Sequence, residues 1–167
     1  MDGTRMIIGV GADSAGADLK NALKRELEAD PRVEVRDFGV PDANDATAYP
    51  HVGIDVARAV ASGAVQRGLL VCGTGIGMAI TANKVAGVRA TVAHDTYSVE
   101  RSVLSNDCQV LTLGARVIGP EVAKGLVRTW LGLRFDPSSA SAEKVAIIGE
   151  YEDHVRRAGE PVAAGID

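Results

Sequence analysis

Residues 68–84 read GLLVCGTGIGMAITANK, and this stretch decides the fold. Residues 68–72 (GLLVC) form a short apolar run with little alternation, as in a strand covered on both faces. Residues 76–85 follow with helical character, and the glycine-rich segment CGTGIG joins the two. A strand that runs through a glycine turn into a helix is half of a βαβ unit. Working outward, further strands are predicted at residues 6–10 (MIIGV), 33–38 (VEVRDF), 88–92 (VRATV) and 109–113 (QVLTL). Helices are predicted between and after them, at residues 17–29, 52–62, 98–104 and 121–131. Such alternation implies right-handed crossovers and a parallel sheet. The predicted architecture is a three-layer α/β domain with five parallel strands.

Residues 135–141 (FDPSSAS) turn small and polar, the chemistry of a loop. Beyond them, residues 142–157 place Val145, Ile148, Tyr151 and Val155 three or four apart, which predicts an extra amphipathic C-terminal helix. We therefore divide the chain into a domain over 1–135 and an appendage over 136–167, either part of the same domain or packed on a partner subunit. The last ten residues (AGEPVAAGID) are expected to fray.

Composition narrows the function. The 167 residues carry 18 basic and 22 acidic side chains, a net charge of −4, which argues against a general polyanion or nucleic-acid binder. Aromatic residues are only 4%, too few for a stacking platform on single strands. No apolar run approaches the ~20 residues of a membrane span, and residues 1–16 show no secretory leader. The two cysteines, Cys72 and Cys108, have no metal spacing and no CxxC pattern. A cytoplasmic protein with reduced thiols is expected.

Ligands of open α/β sheets bind beyond the carboxyl ends of the strands. Four predicted strand ends carry polar or glycine-rich segments: residues 11–16 (GADSAG), 72–77 (CGTGIG), 94–97 (HDTY) and 114–116 (GAR). The glycines of CGTGIG read GxGxG, not the dinucleotide fingerprint GxGxxG, and no P-loop GK[ST] follows. The segment can be a tight turn over a buried cysteine, or a cradle whose amides face an anion. In the second case Cys72 stands where a thiolate is favoured. A thiolate beside oriented amides can remove a proton next to a carbonyl while the amides stabilise the enediolate. Asp13 either orients a ligand hydroxyl or N-caps the first helix. Arg116 pairs a phosphate or a surface carboxylate. His51 and His94 read as structural or capping residues, His154 as solvated, and Cys108 as core. Tyr49-Pro50 ends a polar loop, where Tyr49 packs or touches a ligand.

Taken together, GADSAG at 11–16, Tyr49-Pro50, CGTGIGMAITANK at 72–84, HDTYS at 94–98, SND at 105–107 and LGARVIG at 113–119 resemble the type B ribose-5-phosphate isomerase family. That family includes galactose-6-phosphate and erythrulose-phosphate isomerases, and the segments stand in its order over residues 6–135. The resemblance implies a Rossmann-like fold and a homodimer or homotetramer with active sites at a subunit interface. It also implies interconversion of aldose and ketose phosphates through a cis-enediolate without metal or organic cofactor. By this resemblance Cys72 is the proton-moving base, and Thr74 with the amides of Gly73, Gly75, Ile76 and Gly77 steadies the enediolate. Asp13, Tyr49 and Asn106 match its sugar contacts and Arg116 its ligand-binding arginine, and Ser14 and Ser105 stand at substrate-binding positions where this chain departs from the family. The other branch of the family carries a glutamate where this chain has Met78.

The departures point to the substrate. The family usually reads DHAG in the first loop, where this chain has Ser14, and a histidine that opens the furanose ring where this chain has Ser105. A serine hydroxyl does not donate a proton near neutral pH as an imidazolium does. A tetrose phosphorylated at O4 has no ring to open, because the oxygen that would close the furanose is esterified; ribose 5-phosphate keeps O4 free. D-erythrulose 4-phosphate ⇌ D-erythrose 4-phosphate is therefore the expected reaction, and the erythrulose-phosphate branch shares the DSAG and SN segments. The competing readings are a ribose-5-phosphate isomerase and a non-catalytic phosphosugar-binding subunit. The family's GGRH segment near the phosphate is replaced here by PSSAS at 137–141, with Lys144 the nearest retained basic residue; either its serine hydroxyls and Arg116 suffice for the phosphate, or Arg101 contributes from the helix before Ser105.

Overall fold

The computed structural model describes residues 5–158, so the fraying expected of the last ten residues lies, apart from Ala158, outside the described residues. In chain order the elements are β1 (Met6–Ala12), α1 (Ala17–Glu28), β2 (Val33–Asp37), α2 (Tyr49–Ala61), β3 (Arg67–Cys72) and α3 (Ile76–Ala82). They continue with β4 (Ala90–Val92), α4 (Thr96–Leu104), β5 (Val110–Gly114), α5 (Pro120–Gly132) and α6 (Ala142–Ala158). All strand pairs are parallel, in the order β2-β1-β3-β5-β4. The predicted five-stranded parallel sheet is thus observed.

Two apolar layers close its faces. Leu19, Leu23 and Leu27 of α1, Val99 and Val103 of α4, and Leu126, Val127 and Trp130 of α5 pack with Ile8, Val10 and Leu111 on one side. Val52 and Val56 of α2 and Met78 and Ala82 of α3 pack with Leu70 and Val110 on the other. Every residue of β3 and β5 is buried, which is why these strands read as apolar runs without alternation.

Several boundaries differ from expectation for local reasons. The helix predicted from residue 52 begins at Tyr49, with Pro50 in its first turn, so Tyr49-Pro50 opens a helix and does not end a loop. α3 stops at Ala82, short of residue 85, where the Asn83 side chain turns to bond both the N–H and the C=O of Ala90 at 2.8 Å. α4 starts at Thr96, because the Asp95 side chain caps it by accepting the Ser98 N–H. β4 shrinks to three residues at the sheet edge. α6 buries none of its side chains; it meets the body where Glu152 Oε2 accepts the Gly87 N–H at 2.7 Å.

Candidate active site

The chain places β2 and β3 on opposite sides of β1, which opens a crevice at the carboxyl ends of β1 and β3. Two loops meet there. The Asp13 N–H donates to Val71 O at 3.3 Å, and Asp13 Oδ1 accepts the Gly16 N–H at 3.0 Å. Gly16, not Asp13, is the N-cap residue of α1, so Asp13 closes the turn instead of capping the helix. The loop lies so close to β3 that a Cβ on Gly16 would stand 2.4 Å from Val71 O. Asp13 is thereby fixed beside the strand end that carries Cys72, with Ser14 exposed next to it.

Insertion of β5 between β3 and β4 brings a third loop into the crevice. The Ala115 N–H donates to Cys72 O at 2.9 Å and the Arg116 N–H to Gly73 O at 3.0 Å. The Arg116 guanidinium lies over Gly73, where a Cβ would be 3.4 Å from Nη1. No carboxylate pairs with Arg116 among the described residues, so its charge faces the crevice loop without a counter-ion.

The glycine loop is held from below. Gly75 has φ +80°, and its carbonyl accepts the hydroxyl of buried Thr112 at 2.8 Å. The Gly75 N–H turns inward and donates to Cys72 Sγ at 3.0 Å, which fixes the sulfur as an acceptor in the loop. Thr74 Oγ1 accepts the Ile76 N–H at 3.3 Å, leaving its own proton for a ligand. The N–H groups of Gly73 and Thr74 find no protein acceptor among the described residues. Two free amides, a hydroxyl and a sulfur thus share one turn. Thr112 carries no role by sequence pattern alone; a threonine inside the apolar run QVLTL is the signal that could have marked it.

Tyr49 and Gly77 are in contact: a Cβ on Gly77 would come within 2.7 Å of the Tyr49 ring, and one on Gly114 within 2.7 Å of the Thr74 backbone. These two glycines predict different outcomes for alanine. Gly77→Ala pushes on the free end of a partly exposed side chain, so it costs under about 1 kcal/mol of stability but raises KM by displacing Tyr49. Gly114→Ala pushes on backbone that has nowhere to go, and should cost about 1–3 kcal/mol and distort the loop that carries Thr74. Urea unfolding and steady-state kinetics on both variants check this split.

His94 Nε2 accepts the Gly114 N–H at 2.8 Å, a structural role that requires a neutral ring. Burial holds its pKa below the usual value, against the opposing pull of Asp95. His51 is exposed in the first turn of α2, and His154 is exposed on α6. Cys108 is buried, with its thiol pushed up to about 11 chiefly by burial, as suits a core position.

Ser105, Asn106 and Lys144 do not join this crevice. Ser105 is the C-cap of α4, and Asn106 precedes β5, so both sit at the amino end of the sheet. The length of β5, about 13 Å at a strand's rise, separates them from Gly114. Asn106 is anchored there by its Nδ2, which donates to Arg101 O at 3.0 Å, and by Arg89 Nε, which donates to its carbonyl at 3.1 Å. Lys144 is exposed in the first turn of α6, one helical turn before Ile148. Asn106 and Ile148 line a common cavity of about 500 Å³ to which no residue of the glycine loop contributes. The predicted site residues therefore fall into two groups at opposite ends of one chain.

The family described as Ribose/Galactose Isomerase matches residues 8–148. A D-erythrulose-4-phosphate isomerase 2 of Mycolicibacterium smegmatis is 57% identical over 86% of this chain and 95% of its own length. A D-erythrulose-4-phosphate isomerase of Pectobacterium atrosepticum is 48% identical over 87% of this chain and 94% of its own. Among solved structures, the ribose-5-phosphate isomerase B of Clostridium thermocellum superposes with a TM-score of 0.84 at 41% identity, covering 89% of this chain and 99% of that one. A family match spanning both groups of site residues, with relatives this similar over nearly their whole lengths, shows that the chain belongs to the ribose/galactose isomerase family.

Proposed function

We propose that the chain is an aldose–ketose isomerase interconverting D-erythrulose 4-phosphate and D-erythrose 4-phosphate, with each active site completed by a second copy. The observation that carries the substrate is Ser105: the thiol and amide loop of an enediolate isomerase is intact, while the position of the ring-opening imidazole holds a hydroxyl. The two relatives named for D-erythrulose 4-phosphate support the same choice.

In this reading the Cys72 thiolate takes a proton from C1 of the ketose, and the electron pair moves to leave an enediolate over C1 and C2. The N–H groups of Gly73 and Thr74 and the Thr74 hydroxyl face the developing negative charge on oxygen. Cys72 returns the proton to C2, and the proton on O1 passes to O2, giving the aldose. Asp13 and Tyr49 orient hydroxyls, with Ser14 at the rim, and Arg116 supplies positive charge.

Sharing between copies follows from the two-group arrangement. On this reading Ser105, Asn106 and Lys144 meet the Cys72 thiol of another chain. Apolar side chains available for such a contact include Ile76 and Ile80 on α3 and Ile147, Ile148 and Tyr151 on α6, all at least half exposed. On this reading residues 1–135 carry the chemistry and α6 meets the partner. No helix among the described residues is long and apolar enough to cross a membrane, and we place the enzyme in the cytoplasm with its sugar phosphates.

The test is kcat/KM for D-erythrulose 4-phosphate and D-ribose 5-phosphate measured side by side. The expected preference for the tetrose is tenfold or more, about 1.4 kcal/mol in transition-state binding. Equal or better turnover of ribose 5-phosphate would overturn the argument from Ser105.

A further inference from the structure

Among the described residues Arg101 has no counter-ion. It lies on α4 one turn before Ser105, with its guanidinium 5.7 Å from the centre of the exposed Tyr97 ring. Its side chain makes one hydrogen bond among the described residues, a long one from Nη1 to Ser105 Oγ at 3.4 Å. Its Nε is buried and has no acceptor among those residues. The adjacent Arg89 is differently placed: Asp107 pairs with it at 2.7 Å, and the carbonyls of Asn106 and Asp107 accept from its Nε. A desolvated guanidinium N–H left unpaired is costly, so the arrangement calls for an acceptor that the described residues do not supply.

The surroundings say what kind of acceptor fits. Arg101, Ser98 and Asn106 line the same cavity of about 500 Å³, and Ser105 adjoins Arg101. A planar guanidinium flanked by hydroxyls and a side-chain amide offers several donors, the set that matches a phosphate dianion. We propose that Arg101 binds the phosphate of the sugar phosphate whose reacting carbons lie at Cys72 of the partner copy. This rests on the shared-site reading above and assigns the charge that the PSSAS segment lacks. It also bears on substrate length. A tetrose 4-phosphate carries its phosphate one carbon nearer to C1 and C2 than a pentose 5-phosphate does. An arginine beside Ser105, the position left by the ring-opening imidazole, suits the shorter molecule.

Three measurements on the assembled protein decide it. Replacing Arg101 by Gln should raise KM for D-erythrulose 4-phosphate by about ten- to a hundredfold with kcat changed far less, and Arg101→Lys should recover part of the loss. Calorimetry with inorganic phosphate should show its Kd weakened by a similar factor in Arg101→Gln. An unchanged KM or an unchanged phosphate Kd overturns the assignment, and the phosphate arm decides even if the enzyme prefers another sugar. Finally, Arg101→Gln co-expressed with Cys72→Ala should regain activity at low substrate, because a hybrid dimer rebuilds one intact site, about a quarter of all sites in a statistical mixture. Asn106→Ala with Cys72→Ala serves as the control pair. Recovery of the control alone overturns Arg101; recovery of neither overturns site sharing, and the phosphate Kd alone then decides whether Arg101 binds the anion.

Discussion

Alanine at Cys72 should lower kcat for the isomerisation by about a thousandfold while KM stays within about threefold. The sulfur is the proton carrier in the proposed reaction, so its removal strikes the transition state and leaves ground-state contacts in place. The glycine loop holds no second thiol and no carboxylate. Met78 fills the position where the other branch of the family has a glutamate, and it is fully buried. Cys108 lies near the amino end of the sheet beside the Arg89–Asp107 pair, and burial suppresses its ionisation. The fold should survive, although the substitution removes the acceptor of the Gly75 N–H; we expect a loss of about 1–3 kcal/mol. Rapid alkylation of the parent enzyme, slowed by substrate, should report the same thiol. Activity of Cys72→Ala within tenfold of the parent would move the base elsewhere, and Asp13, hydrogen-bonded at the adjoining loop, would be the residue to examine next.

Much of the fold is readable in the sequence because two of the three interior strands are fully buried. β3 and β5 are buried along their whole length and apolar apart from Arg67 and Thr112, and such runs stand out between helices without any need for alternation. Edge elements give weaker signals. β4 keeps only three residues with none fully buried, and its predicted extent overshoots by two. The start of α2 escapes the sequence pattern because Tyr49-Pro50 looks like turn chemistry, yet proline is equally at home in a first helical turn.

The glycine loop is legible and the assembly of the site is not. CGTGIG shows its chemistry in one dimension, because the sulfur, the hydroxyl and the amides are contiguous. The strand order is a different matter. Nothing local in the sequence says that β5 enters between β3 and β4, yet that choice sets Arg116 over Gly73 and Gly114 against Thr74. The same order fixes Asn106 at the far end of the sheet. Family resemblance groups Asn106 with Cys72 as parts of one site; the geometry of a single chain separates them, and the proposed sharing between copies is the reading that reunites them.

Removing the Asp37 carboxylate should destabilise the protein far more than removing the lysine it holds. Lys20 is fully buried in α1, and its ammonium donates to both Asp37 oxygens at 2.9 Å. Asp37 in turn accepts from Lys24 at 3.1 Å and from the Gly39 N–H at 2.9 Å, and its side chain is 26% exposed. The pair anchors the site from behind, because Gly39 O accepts the Ala12 N–H and the Val40 N–H donates to Ala12 O, one residue before Asp13. Asp37→Ala leaves a buried ammonium with no counter-ion, a loss of about 3–5 kcal/mol. Lys20→Met leaves a carboxylate that keeps Lys24, the Gly39 amide and some water, so about 1–2 kcal/mol is expected. The double variant should be more stable than Asp37→Ala alone, since an apolar pair of similar volume tolerates the site. Acid adds an independent reading. Burial works to raise the Asp37 pKa, but the Gly39 N–H and the two lysines outweigh it and hold the carboxyl below its usual range. A depressed folded pKa gives stability that is complete above the unfolded value of about 3.9 and is lost as pH falls through the folded one. Urea midpoints should therefore fall in that acid window for the parent and change less with pH in Asp37→Ala. Equal losses from Asp37→Ala and Lys20→Met at neutral pH would mean that stranding the ammonium costs no more than stranding the carboxylate, and would overturn this ordering.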